Sequence, residues 1–495
     1  MSRLQKRIVM IMTDSQRWDM VGCYGNPSMH TPCLDHLASE GLRFDRAYTT
    51  QPVCGPARSA LFTGLYPHSN GMTANSVALG DNVKTVGQRL RDHGFHTAYI
   101  GKWHLDGGDY FGLGRCPDGW DAEYWYDMRC YLSEMNAQER LYSRQAKEAV
   151  ADAFCYGHKV TDRAVRFIER ASKEDRDSFL VVSYDEPHDP SLCPEPYYSM
   201  FRDYRFPKSP NVLEKLQGKP DYQKAWAGKR LELDPETTQI TAPEFFGCNA
   251  YIDSQIGRVI EAVDRYMPDA LVIYTSDHGD FLLSHSLYAK GPAAYDEITR
   301  IPLIIRWPGH IRPGVHTHPV SHIQITPTLL EAAGLPKAHW SEGESLFPAF
   351  SRPDIKTTDA VFMEFGRYEV DHDGFGGFQP MRAVFDGRYK LSVNLLSTDE
   401  LYDLETDPAE LNNLIDSKAH ASIRDALHDR LLDWMNRTRD PLRGYYWERR
   451  PWRTDARPAT WDYTLMTRQR EHEEYEPRQL DYATGLEMEQ ATRRK

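Results

Sequence analysis

Four stretches of this chain, residues 8–12, 179–182, 271–274 and 301–305, are apolar without interruption, and residues 97–100 form a weaker fifth. Such short runs suit strands buried on both faces, as in a parallel sheet. Helix-like segments fall at residues 85–92, 162–171, 244–266 and 326–333. This alternation predicts an α/β fold, a large mostly parallel sheet flanked by helices. The residues just beyond the apolar runs are equally informative. Asp14 comes after the first, Lys102 and His104 after 97–100, His188 after 179–182, and Asp277-His278 after 271–274. Each alone reads as a turn or a helix cap. Together they mark the carboxyl edge of an open sheet, where ligand sites form in α/β folds.

The 495 residues suffice for one large and one smaller unit. We expect a catalytic domain over residues 1–340 and a small C-terminal α+β subdomain over 341–440. The latter carries an antiparallel pair at 361–365 and 381–393 and a helix near 423–434. Residues 441–495 form a tail opened by Tyr445-Tyr446-Trp447-Glu448-Arg449-Arg450-Pro451-Trp452-Arg453, whose composition suits a homo-oligomer interface or an arm folded back on its own subunit. The net charge of −13 argues against nucleic acid or an anionic membrane as partner. No stretch is long enough to span a bilayer. The N-terminus lacks the apolar region and cleavage site of a secretory signal, and the eight cysteines show no paired CxxC spacing. A cytoplasmic protein with reduced thiols is the expectation.

The stretch Cys54-Gly55-Pro56-Ala57-Arg58, continuing to Thr63-Gly64, joins a thiol to a helix start. Proline is at home in a first helical turn, and that turn stabilises anions. A lone cysteine there reads as a buried structural thiol. The CxPxR pattern with its Thr-Gly follow-on, however, resembles the formylglycine signature of type I sulfatases, in the alkaline phosphatase superfamily. The likeness extends over nearly the whole chain. It takes in residues 8–14, Gly101-Lys102-Trp103-His104, Pro187-His188-Asp189-Pro190, Thr275-Ser276-Asp277-His278-Gly279, Lys290, residues 295–303 and residues 400–408. Uncharacterised bacterial cytosolic sulfatases resemble it most, with choline sulfatases and phosphonate monoester hydrolases further off.

The resemblance implies that a maturation enzyme oxidises Cys54 to an aldehyde whose geminal diol is the nucleophile. Asp14, Asp277, His278 and the residue-54 oxygen would hold one divalent metal, lowering the diol pKa and polarising the sulfuryl group. Arg58 and His104 would contact the formylglycine, while Lys102, His188, Lys290 and Asn75 surround the sulfate oxygens. His188 or Lys290 would protonate the departing alcohol, and His104 would deprotonate the second hydroxyl so that sulfate is eliminated. The chain departs from the family at the position after Asp14, where many relatives have a second Asp or a Gln and this chain has Ser15, followed by Gln16, and at His278, where many relatives have Asn. The softer ligand set admits manganese or magnesium beside calcium, and Gln16 is a further possible ligand.

The loop 367–377, mixing charges, aromatics and glycines, suggests recognition of a sulfated sugar through Arg367 and His372, with Tyr368 or Phe375 stacking on a ring. Asp106, Asp109 and Tyr110 are second candidates for the rim. A phosphonate monoester or phosphodiester hydrolase would use nearly the same residues. A non-catalytic anion-binding protein would leave the nucleophile and the metal ligands unexplained.

Overall fold

The computed structural model describes residues 5–107, 110–369 and 377–456. Fourteen strands are present among them: β1 (Arg7–Asp14), β2 (Leu42–Phe44), β3 (Ala47–Tyr48), β4 (His96–Gly101), β5 (Ser178–Pro187), β6 (Leu271–Ser276), β7 (Arg300–Ile301), β8 (Leu303–Arg306), β9 (Gly314–His316), β10 (Val320–Ser321), β11 (Val361–Phe365), β12 (Met381–Phe385), β13 (Tyr389–Asn394) and β14 (Glu400–Asp403). The large sheet has the order β4-β5-β1-β6-β8-β2-β9. Its strands β4, β5, β1 and β6 are mutually parallel, with Ile8 opposite Phe179 on one side and Leu271 on the other.

Both faces of this sheet are covered. Ile8, Met10 and Met12 of β1 enter one apolar core and Val9 and Ile11 the other, the period-two signature of a strand with no solvent face. The first core is roofed by the helices Cys54–Thr63, Val86–Asp92 and Ile325–Ala332, and the second by Pro32–Glu40, Tyr156–Ala171 and Pro243–Tyr266. The helix expected at 162–171 begins earlier, at Tyr156.

Two strand expectations need correction. Residues 301–305 divide between β7, which belongs to a three-stranded sheet β10-β3-β7, and β8, which pairs antiparallel with β6. Apolar continuity reports burial on both faces, which β8 shares, but not strand direction. Residues 381–393 are likewise two strands, β12 and β13, hinged at Asp386-Gly387-Arg388, where Gly387 takes φ +105°.

The C-terminal sheet is antiparallel throughout, β11-β12-β13-β14, and the helix Ala421–Arg437 packs on it. Tyr66 and Ile323 from the larger unit enter this core. Residues 445–456 belong to it as well: Trp447 is buried beside Trp434, and Asp399 accepts bonds from Arg450 and from the Trp452 indole at 2.8 Å each. This part of the expected tail therefore folds back on its own subunit. The oligomer interface expected of the remaining tail lies outside the described residues. Among the described residues, no helix is long and apolar enough to cross a membrane.

Candidate active site

The parallel strands deliver their polar followers to one place. Asp14 closes β1, Lys102 and His104 follow β4, His188 follows β5, and Asp277 and His278 follow β6. Cys54 opens the helix Cys54–Thr63, all ten residues of which are buried, so residue 54 cannot shift without the core. The Asn75 carboxamide oxygen accepts the Gly55 N–H at 2.9 Å, holding the helix start.

At the centre lie Asp14, Cys54, Asp277 and His278, fully buried, with ligand atoms all within 4.8 Å of one another. The Cys54 Sγ is 3.2 Å from His278 Nε2 and 3.7 Å from Asp14 Oδ1. His278 Nδ1 is bonded to the Gly279 carbonyl at 2.8 Å, which turns Nε2 toward the cluster. Arg58 donates to the outer oxygens, Asp277 Oδ2 at 2.9 Å and Asp14 Oδ2 at 3.1 Å. Each inner oxygen is thereby left facing the others, one per carboxylate. Two carboxylate oxygens, an imidazole nitrogen and the residue-54 atom form a donor set that fits one divalent cation.

Cations ring this cluster. Lys290 Nζ is 2.9 Å from Cys54 Sγ, and Lys102 Nζ pairs with Asp14 at 2.8 Å and Asp185 at 2.9 Å. Burial resists charge on Asp14, but Lys102, Lys290, His188 and Arg58 hold its carboxyl well below the usual range. Burial and Asp14 itself push Asp277 up to about 6. Burial pulls His104 below the usual imidazole range, against the hydrogen bond to the residue-54 side chain, which raises it. His188 is resisted by burial and by Lys290 and Lys102, yet Asp14 and Asp189 raise it to about 10.

Three residues around the cluster, Ser15, His104 and Ala289, take φ of +62°, +56° and +53°, in the left-handed region. Ser15 explains the missing second acid. Its hydroxyl donates to Asp14 Oδ1 at 2.9 Å and its N–H to Asp277 Oδ1 at 3.2 Å, orienting both carboxylates without adding charge.

Above the cluster opens a cavity of about 720 Å³. Cys54, His104, His188, Lys290 and Asn75 line its inner part; Tyr110, Trp226, Tyr288, Tyr368, Asp280 and Glu369 form much of the remaining wall. Of the residues expected from sequence, Lys102 and Arg58 lie beneath the cavity rather than on its wall. Arg367 is not on the wall either, although its neighbours Tyr368 and Glu369 are. Asp106 spends one carboxylate oxygen on the Leu113 N–H at 2.9 Å and is likewise off the wall. His372, Phe375 and Asp109 lie outside the described residues. Gln16 is not a ligand: its amide bonds Asn249 Oδ1 at 2.6 Å and the Tyr274 hydroxyl.

Asp185, Trp226 and Tyr288 carry no sequence signal of this kind. Asp185 is an ordinary polar residue within β5, and the other two reach the cavity from a helix, Asp221–Ala227, and a loop distant in the chain.

A sheet edge that gathers a buried thiol, a carboxylate and imidazole cluster fit for one cation, and fixed positive charge suits a hydrolase of anionic tetrahedral esters. Residues 6–335 match the sulfatase family, residues 284–437 match the C-terminal part of N-sulphoglucosamine sulphohydrolase, and the chain belongs to the sulfatase family of sulfuric ester hydrolases. It is 44% identical over 485 residues to an uncharacterized sulfatase, YidJ, of Escherichia coli K12, covering 96% of each chain. A solved structure holding its substrate D-glucosamine-2-N,6-O-disulfate matches with a TM-score of 0.70 at 20% identity, over 88% of this chain and 99% of that one. The phosphonate monoester hydrolase of Agrobacterium radiobacter matches with a TM-score of 0.70 at 23% identity, over 87% and 95%. These two likenesses concern the fold.

Proposed function

We propose that this sulfatase hydrolyses the sulfate monoester of a small carbohydrate, with residue 54 acting as formylglycine and one divalent metal, calcium or in its place manganese or magnesium, held by Asp14, Asp277, His278 and residue 54. The carrying observation is the polarity of the cavity. Its inner part presents Lys290, His188 and His104 around residue 54, and its wall adds the aromatic rings of Trp226, Tyr288 and Tyr368 with the carboxylates of Asp280 and Glu369. Rings that stack on a sugar face, beside carboxylates that accept from its hydroxyls, suit a carbohydrate better than a greasy aryl group.

When bound, the metal supplies positive charge that acidifies the residue-54 hydroxyl and polarises the sulfuryl group. Arg58 fixes the two carboxylates, and Lys290 stands where negative charge grows on the sulfuryl oxygens. His188, held protonated, donates to the departing alcohol oxygen. His104, which burial pulls below the usual imidazole range, accepts a proton from residue 54.

A panel of sulfated mono- and disaccharides, choline sulfate, phosphonate monoesters and phosphodiesters tests the reading by kcat/KM. A sulfated sugar ranks first on this account; a phosphorus ester ranking first overturns it. Replacing Trp226 with Ala should then lower kcat/KM for the sugar sulfate by roughly tenfold more than for 4-nitrophenyl sulfate, since only the sugar uses the remote wall.

A further inference from the structure

His188 enters the cavity at the end of β5, and its Nδ1 meets three oxygens. These are the Asp189 carbonyl at 2.9 Å, the Asp189 carboxylate at 3.0 Å and the Tyr110 hydroxyl at 3.1 Å. A hydroxyl can give or take a hydrogen bond, and here its proton is committed elsewhere: Tyr110 donates to Asp185 Oδ1 at 2.5 Å, an oxygen that only accepts. The lone pair that Tyr110 turns to His188 therefore calls for a hydrogen on Nδ1, as do both Asp189 oxygens. Nε2 is the nitrogen left for the cavity.

The same pair braces the neighbouring cation. Asp185 is 4% exposed, and its Oδ1 also pairs with Lys102 Nζ, which sits 4.1 Å from the centre of the Tyr110 ring. On its other side Tyr110 meets the His104 ring edge-on at 5.5 Å. One side chain thus touches His104, His188 and Lys102.

We propose that Tyr110 and Asp185 are positioning residues for leaving-group protonation. Asp185 orients the Tyr110 hydroxyl, and Tyr110 holds His188 with Nδ1 protonated and Nε2–H aimed at the substrate. As the bond between sulfur and the alcohol oxygen breaks, that oxygen keeps the electron pair and takes the Nε2 proton. His188 is left neutral with its Nδ1 hydrogen retained, the tautomer that Tyr110 and Asp189 stabilise. The inference rests on the reading of His188 as the acid.

A series of aryl sulfates from 4-nitrophenyl, whose leaving group departs without a proton, to 4-methoxyphenyl, which needs one, separates positioning from support of the fold. Tyr110→Phe keeps the ring over Lys102 and removes only the hydroxyl. Its kcat/KM should fall about tenfold more for the 4-methoxyphenyl than for the 4-nitrophenyl ester, a fraction of what general acid catalysis provides. His188→Gln should show the same bias more strongly, and adding Tyr110→Phe to it should cost nothing further. Equal losses of the Tyr110 variant on both esters, or full additivity in the double variant, overturn the inference while leaving His188 as the acid. Absence of bias in His188→Gln itself removes both readings. Imidazole ¹⁵N spectra of the unaltered protein, recorded at a pH where His188 is neutral and with His188 assigned by its loss in His188→Gln, need no Tyr110 variant: an Nδ1–H tautomer supports the inference and a bare Nδ1 overturns it.

Discussion

Arg58 shows how much of this site is decided by one side chain. Fully buried, it spans Asp277, Asp14, the Lys102 carbonyl and the Ser183 hydroxyl, so that its removal or that of a partner strands charge in the interior. Asp277→Ala should lose the bound metal and turnover together and cost roughly 3 kcal/mol of stability, because Arg58 is left half paired. Metal analysis and thermal unfolding check this; full metal occupancy in the variant would contradict it. Glu186 offers a second test at this scale. Its Oε1 accepts the Gly157 N–H at 2.7 Å, and burial pushes its carboxyl up to about 7. Because the folded pKa is raised, the stability this group contributes is fully present below the ordinary carboxylate range and is lost as pH rises through about 7. Glu186→Gln keeps the acceptor without the charge. It should match the unaltered protein at about pH 4 and exceed it at about pH 8 by roughly 3 kcal/mol. A difference that does not change with pH would be the contrary result.

The strand ends, as elements, set what the residues can do. Gly101 closes β4 immediately before Lys102 with φ +122°, and a Cβ there would lie 1.8 Å from the Ser183 carbonyl oxygen of β5. Gly25 has a similar φ of +110° but open space around it. Gly101→Ala should therefore cost more than about 3 kcal/mol, combining strain with a backbone clash, whereas Gly25→Ala should cost about 1 kcal/mol from strain alone. Denaturant unfolding distinguishes them, and equal costs would argue against close strand packing at the site. The elements also show what a sequence can and cannot convey. Runs 8–12, 179–182 and 271–274 are legible because a strand with two buried faces carries no polar position, and their polar followers are legible because the chain must leave the sheet there. Strand direction leaves no such mark, as β8 demonstrates. Nor does the far wall of the cavity: Trp226 and Tyr288 meet edge to face at 6.2 Å although 62 residues separate them in the chain, and no local spacing encodes that encounter.

At the scale of the whole molecule, the two units are joined by buried charge as well as by apolar packing. His68, just beyond the nucleophile helix, pairs with Glu364 of β11, and Arg382 of β12 bonds Asp440 at 2.6 and 3.0 Å while standing 4.0 Å from Glu364. Val361, Met363 and Phe365 share a core with Tyr48 and Val53, next to Cys54. The small unit is thus part of the frame that holds residue 54. Arg382→Ala should lower stability by roughly 3–5 kcal/mol and preserve a single unfolding transition, since Asp440 loses its guanidinium partner inside a shared core. Calorimetry showing two separate transitions would contradict that coupling.

The central claim is that this sulfatase acts through an aldehyde at residue 54. Trypsin releases residues 47–58, cutting after Arg46 and Arg58, so the mass of one peptide reports the state of Cys54. Measured across preparations made with and without a maturation enzyme, the converted fraction should rise in proportion to specific activity on 4-nitrophenyl sulfate, and Cys54→Ala should be inactive. A highly active preparation in which this peptide carries only the unmodified thiol would contradict the account.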